Sequence, residues 1–211
     1  MPHFYLDTSH VISMGLLNEQ FEFIDFQTIN DKKSGTRAHL IIDEFLKKHE
    51  LEVKSIKSWF VLAGPGSYTG MRVSEGIAQI LELEKLTVYS MYAYQIPEFA
   101  GMLHGQWITS AFKGQLFVYS WSESNKQSEL KDLKDFAVSK PSEIYFHGEL
   151  PKELLAYKWA DHDTNVIIQS KSKMIFNTVK ELGLRQQPQY FRAPEQEFVV
   201  SPLNAVSFRE K

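Results

Sequence analysis

At 211 residues, with 43% hydrophobic and 13% aromatic side chains, the chain can build one large domain or two small related ones, which excludes global disorder. A formal net charge of −3 excludes a protein that holds nucleic acid alone through a dominant basic surface. The lack of cysteine excludes disulfides and thiolate metal sites. No apolar stretch approaches the roughly 20 residues of a membrane span, and the start Met1-Pro2-His3-Phe4-Tyr5-Leu6-Asp7 has no basic leader region, so a soluble cytoplasmic protein without a membrane role is expected.

In chain order, short apolar or alternating runs at 4–6, 13–17 and 21–27 predict three strands, joined by connections too short for anything but antiparallel hairpins. Ala38, Ile41, Ile42, Phe45 and Leu46 recur at helical spacing and predict a helix over 37–49. A fully apolar strand at 59–62 then runs into Gly64-Pro65-Gly66-Ser67-Tyr68-Thr69-Gly70-Met71-Arg72-Val73-Ser74, a glycine-rich turn opening a helix from Gly70 to about residue 84, with Thr69 placed to cap it. A strand at 86–89 and a short helix opened by Pro97 close the first half. The second half reads as a hairpin of 107–111 and 116–121 around Lys113-Gly114 and a weaker strand at 136–138. Strands at 144–147 and 166–169 follow, then a helix over 174–182 stopped by Gly183. Two degenerate βββαβα units predict an α/β protein of the two-lobed RNase H-like, actin-like (ASKHA) architecture with mixed sheets. The boundary is placed near His104, giving lobes of 1–104 and 105–211, with the last segment a candidate to return to the first lobe.

The glycine-rich turn has its own chemistry. Gly64 and Gly66 permit positive φ or close backbone approach, and Pro65 pins a dihedral between them. A helix N-terminus behind such a turn can hold an anion, which makes Gly66, Ser67 and Thr69 candidates for nucleotide binding. No lysine follows the last glycine as in a Walker A loop, and the glycine intervals are not those of a dinucleotide fold. A tight turn with no ligand is the alternative reading.

Residues 64–74 resemble the GPGS(F/Y)TG(L/V/M)R signature of the TsaB (YeaZ) family. Leu6-Asp7-Thr8-Ser9 is similar to that family's LDTS start, with a following strand that ends here in Gly15-Leu16-Leu17. Arg37-Ala38-His39 with Leu40, Ile42, Phe45 and Leu46 resembles its first helix, and Tyr190-Phe191-Arg192-Ala193-Pro194 its closing Tyr-Leu-Arg-x-Pro segment. The likeness covers nearly all of the first half and fades beyond about Gly105. Where the family has Asp-Ala-Arg-x-Gly-Glu-Val-Tyr, this chain has Ser110-Ala111-Phe112-Lys113-Gly114-Gln115-Leu116-Phe117, without the acid or the arginine.

The resemblance implies a non-catalytic subunit. It would bind and activate a TsaD-like threonylcarbamoyl transferase, together with a TsaE-like ATPase, in forming N6-threonylcarbamoyladenosine in tRNA. Such subunits pair through the first two helices of each N-terminal lobe, and form homodimers through much the same surface when alone. Carried onto this chain, the partner-binding residues are His39, Ile42, Asp43, Leu46, Met71, Ser74, Ile77, Ala78 and Leu81. Val73, Ile77, Ile80 and Leu81 are expected to form one apolar stripe, with Met71, Ser74 and Ala78 beside it, and Gly76 to mark close backbone approach. tRNA would be met only through the complex. No cofactor is expected to be tightly bound, ATP and Mg belonging to the assembled complex.

Enzymatic alternatives are weighed by what they need. The histidines His3, His10, His39, His49, His104, His147 and His162 contain no i, i+4 pair of the kind that holds a metal in a TsaD-like enzyme, so no metal site is expected. An RNase H-type nuclease needs carboxylates that the 59–62 strand does not supply, although Asp7 and Asp43 or Glu44 stand elsewhere. Ser67 is not in a Gly-x-Ser-x-Gly elbow. A free-standing ATP-binding kinase or ATPase of the actin-like fold is the stronger alternative, with Asp7 holding Mg through water and Thr8 or Ser9 donating to phosphate. The favoured reading of Asp7 and Thr8 is that they hydrogen-bond the turn itself. Arg72 reads as an internal partner of the loop or a carboxylate, or as a contact to tRNA phosphate.

Overall fold

A computed structural model describes residues 1–30, 34–138, 140–157 and 160–191. The Arg192-Ala193-Pro194 part of the closing motif lies outside the described residues. In chain order the elements are β1 (His3–Asp7), β2 (Ile12–Leu17), β3 (Phe23–Ile29), α1 (Ser34–Lys48), β4 (Ser58–Leu62), α2 (Tyr68–Leu83), β5 (Thr87–Met91) and α3 (Ile96–Phe99). The second half adds β6 (Gly105–Ser110), β7 (Gln115–Trp121), β8 (Lys126–Asp132), β9 (Ile144–His147), α4 (Thr164–Ser170) and α5 (Ser172–Glu181).

Two mixed sheets carry the fold, one of five strands in the order β3-β2-β1-β4-β5 and one of four in the order β8-β7-β6-β9. The second order repeats the first four positions of the first. In each, the opening strand pairs antiparallel with its hairpin partner and parallel with the strand on its other side. The α/β, two-sheet architecture expected from element order is therefore present. The two units are not equal: the strand β8 to β9 connection carries 3-10 turns where the first unit carries α1.

Strand alternation sorts the core into layers. On β1 and β4, Phe4, Leu6, Trp59 and Val61 point to one face of the first sheet, where Ala38, Ile42, Phe45 and Leu46 of α1 and Ala78 and Leu81 of α2 cover them. Tyr5, Phe60 and Leu62 point to the other face and join Phe176 of α5, Ile96 of α3 and Trp107, Phe117 and Trp121 of the second sheet in a shared core. Ile108, Leu116, Val118 and Ile144 turn away from that core into a smaller cluster with Leu154. The two sheets are thus joined through a common apolar layer.

Three predicted elements differ. Residues 166–169 are helical, within α4, where Asp163 caps the helix by accepting from the Asn165 amide at 2.7 Å and Ile167 and Ile168 enter the shared core. The third strand of the second unit is β8 and not 136–138. Its seven residues, Lys-Gln-Ser-Glu-Leu-Lys-Asp, sit on an open sheet edge and carry charge there, as exposed edges do. Helix α2 starts at Tyr68 with Ser67 as its cap, where the sequence suggested Gly70 and Thr69.

Helices α1, α2 and α5 end alike. Leu51, Leu86 and Leu184 each return an amide to the carbonyl five residues back, with Glu50, Lys85 and Gly183 in the left-handed conformation. Beyond α5 the chain runs along the first sheet, where Ser90 donates its amide to the Leu184 carbonyl and Gln189 to that of Ala63. Arg185 anchors this run, donating from Nη1 and Nη2 to Glu75 at 3.0 and 2.9 Å and from Nε to Glu82 at 2.6 Å, both on α2.

Candidate functional site

The site gathers where the β1–β2 turn meets the glycine-rich turn and the end of β9. Ser67 Oγ accepts from the Gly70 amide at 3.1 Å and the Ser67 carbonyl from the Met71 amide, while the Ser67 amide donates to the Ser9 carbonyl at 2.9 Å. Three amides of the helix start are thus engaged within the chain. Thr8 Oγ1 in turn donates to the Gly70 carbonyl at 2.6 Å. The glycines make this seating sterically open. A Cβ at Gly66 would stand 2.6 Å from Ser9 Cβ, and one at Gly70 would overlap the Thr8 carbonyl oxygen. Gly64 takes a φ of 101°, a conformation that side chains rarely adopt.

Asp7, at the end of β1, is 1% exposed. Its Oδ1 accepts from the Ser9 amide at 2.7 Å, and its Oδ2 from His147 Nε2 at 2.9 Å. The same Nε2 lies 3.0 Å from Ser9 Oγ. Burial acts to raise the Asp7 carboxyl, but the charge of His147 and the hydrogen bonds from His147 and Ser9 outweigh it, and the net shift is downward. Burial likewise acts to lower His147, and the Asp7 carboxylate overcomes it and raises the imidazole above its ordinary value. Both shifts favour the charge-paired form, carboxylate with imidazolium.

His10 stands beside it, its ring 5.2 Å from that of His147. Thr109 Oγ1 donates its single proton to the His147 carbonyl at 2.8 Å, so at the His10 contact, also 2.8 Å, it accepts. His10 therefore carries its proton on Nε2, and burial followed by the neighbouring His147 charge lowers its pKa to about 4. Gly148, at a φ of 77°, passes under the His10 ring.

A cleft of about 1060 Å³ opens beside this cluster. Thr8, His10, Ser67 and Thr69 line one wall, Ser110, Phe112, Glu149 and Lys152 another, and Asn165, Tyr190 and Phe191 complete it. The Arg72 guanidinium lies 4.6 Å over the Tyr68 ring, which packs on Tyr190 at 5.1 Å. Among the described residues no group of three or more histidines and carboxylates is placed to hold a metal ion.

The structure brings the sequence candidates Asp7, Thr8, Ser9, Gly66, Ser67 and Thr69 together, with Asp7 and Thr8 spent on holding turns. His147, His10 and Thr109 are the additions. No local pattern marks them, since Asp7 and His147 stand 140 positions apart and meet only when two sheets pack.

The helix residues divide differently from the expectation. Met71, Ser74, Ala78 and Leu81 of α2, and Ile42 and Leu46 of α1, are buried in the chain's own core, so they form the inward face. Ile80, from the stripe of Val73, Ile77, Ile80 and Leu81, is 62% exposed. His39 and Asp43 are exposed, Asp43 pairing with Lys47 at 2.7 Å, and Ile77 is half-buried. No side chain or backbone atom lies within 4 Å of a Cβ built on Gly76, so that glycine answers no close approach inside the chain.

This arrangement of two mixed sheets packed with helices has solved counterparts. The fold is shared with YeaZ. YeaZ from Pseudomonas aeruginosa superposes with a TM-score of 0.58 at 15% identity, covering 91% of this chain and 99% of its own. A Pseudomonas aeruginosa protein described as similar to the peptidase YeaZ gives 0.59 at 15% identity, covering 90% and 99%. No family model matches the chain, and no curated protein matches it in sequence. The YeaZ fold is thus the common ground, and the signature read at residues 64–72 falls on this chain's β4–α2 turn. No helix among the described residues is long and apolar enough to cross a membrane.

Proposed function

We propose that the chain is a non-catalytic subunit that binds and activates a TsaD-like threonylcarbamoyl transferase in tRNA modification. The observation that carries this reading is the outer side of α1 and α2. These helices already bury one apolar face on the sheet, yet Leu40, Ile80 and Leu83 remain 44%, 62% and 81% exposed. Val73, Ile77 and Ile80 recur on α2 at helical spacing, and Gly76 leaves open space between them. A helix with a second apolar side is built to meet another protein. The net charge of −3 agrees with tRNA being met through the complex. A TsaE-like ATPase would join the same assembly, and a homodimer would use this side when the chain is alone.

The test mixes the chain with the TsaD-like protein of the same organism and measures mass by light scattering. A one-to-one complex is expected, lost in Ile80→Arg and Leu83→Arg variants whose melting temperature is unchanged. Association that survives both variants refutes the interface. Failure of the parent chain to associate, even with ATP and the TsaE-like ATPase present, overturns the reading. The cleft supports a second reading, a free-standing ATP-binding enzyme. That reading requires ATP with Mg to raise the melting temperature of this chain alone.

A further inference from the structure

The polar cluster at the end of β1 does more than hold a turn. Three of its bonds cross from residues 7–10, at the end of β1, to the second sheet: Asp7 to His147, Ser9 to His147, and His10 to Thr109. His147 and Thr109 are neighbours on β9 and β6, paired in register and tied again by the Thr109 hydroxyl. The crossing bonds sit at the margin of the cleft, which Ser9 and His10 line. Elsewhere the sheets meet through apolar side chains in the common layer, contacts that are non-directional and tolerate small displacements. A buried carboxylate–imidazole pair does not tolerate them, because separating it strands both charges away from water.

We infer that the Asp7–His147 pair, with Ser9, His10 and Thr109, is an interlobe latch that fixes the spacing of the two sheets and so the width of the cleft, with no bound ligand required. The charged and titratable groups that face the pair are few. His10 abuts it from the same turn, Asp163 adds negative potential at His147, and the Tyr5 hydroxyl lies in the field of Asp7. His147 Nδ1 is buried without a hydrogen-bond partner among the described residues, so the imidazole is held through Nε2 alone. Asp7 at the end of β1 and Ser9 in the β1–β2 turn therefore hold the ring through that one nitrogen.

Native-state hydrogen exchange on the full chain tests this. In Asp7→Asn the Ser67 amide, which reports the turn through its bond to the Ser9 carbonyl, is expected to exchange at least tenfold faster. Amides bonded inside each sheet, such as those pairing β1 with β4 and β6 with β7, are expected to accelerate by a much smaller factor. Thr109→Val, which keeps the side-chain shape and removes one crossing bond, is expected to give the same pattern with a smaller factor, and stands in should Asp7→Asn not fold. As a readout of the pair itself, the His147 titration followed by NMR is expected to fall below the parent value in Asp7→Asn. Equal acceleration of the Ser67 amide and the sheet amides in these variants overturns the latch, since it would make the cluster ordinary core. An unchanged His147 titration overturns the pairing on which the latch depends.

Discussion

Two alanine substitutions six residues apart on α2 are expected to act with opposite signs. At Gly76 the added methyl meets nothing within 4 Å, so Gly76→Ala changes the helix propensity and little else. That gain is about 1 kcal/mol, or roughly 2–4 °C in melting temperature for a domain of this size. At Gly70 the same methyl overlaps the Thr8 carbonyl oxygen and lies 2.8 Å from Ser67 Oγ. Both are fixed, the first by the turn that Thr8 and Ser9 hold on α2 and the second by its capping bond to the Gly70 amide. Overpacking of this kind costs about 1–3 kcal/mol, and a displaced cap costs about 1 kcal/mol more. A net loss of about 3 kcal/mol, roughly 6–12 °C, is expected. Thermal and urea unfolding by circular dichroism would measure both variants, with the far-UV spectrum confirming the helix. A Gly70→Ala protein as stable as its parent would refute the seating of the β1–β2 turn. A destabilised Gly76→Ala would mean that the outer side of α2 is covered in solution.

Acid should weaken the fold below about pH 6.5. His3, buried and bonded to Ser58 Oγ at 2.6 Å, is lowered to about 4 by burial and then by Lys57 and Lys180, and His10 is lowered to a similar value. Each is neutral when folded and takes up a proton on unfolding, so the contribution of these two is complete above 6.5 and falls toward pH 4, at up to about 2.7 kcal/mol per pH unit for the two. His147, raised by Asp7, acts in the other direction: its contribution is full below 6.5 and is lost as pH climbs through its folded value. Urea midpoints at pH 7.0, 5.5 and 4.5 test this, and a flat series would contradict it, while His3→Gln should halve the acid slope. Arg185→Ala removes the bonds to Glu75 and Glu82 and is expected to cost about 1–2 kcal/mol, read as a lower melting temperature and as earlier proteolytic cutting near residue 185. Thr164 Oγ1 accepts from Trp107 Nε1 at 3.0 Å and donates to the Phe146 carbonyl at 2.7 Å. Thr164→Val strands both and should cost about 1–3 kcal/mol, whereas Thr164→Ser should stay near the parent in urea unfolding followed by tryptophan fluorescence.

The first half was legible because its signals are local. The apolar run at 59–62, the glycine turn and the 38, 42, 45, 46 spacing each name an element without reference to the rest of the chain, and all three appear as β4, the β4–α2 turn and α1. In the second half the local signals mislead. The branched run Val166-Ile167-Ile168 has strand character, yet it forms a helix capped by Asp163 that buries Ile167 and Ile168 in the shared core. β8 has almost no apolar content, because an edge strand lying outside both large cores needs none. Exposure on α2 is not legible for a related reason. Periodicity gives the stripes of a helix but not which stripe turns inward, and the sheet chose Met71, Ser74, Ala78 and Leu81. The candidate site was half legible: Asp7, Thr8 and Ser9 announce a turn, but their partner His147 arrives from the other end of the chain.

The run from Leu184 to Tyr190 lies on the first sheet, with Ser90 and Gln186 exchanging bonds and Gly66 bridging Tyr190. The first sheet is therefore interrupted in sequence by the second. During synthesis its five strands leave the ribosome nearly a hundred residues before the segment that lies along β5. Until then that nascent edge is open to other chains, and only completion of β6 to α5 brings its cover into place. A lesion anywhere in the second half would thus be felt first as a vulnerability of the first, at the growing edge of an unfinished sheet.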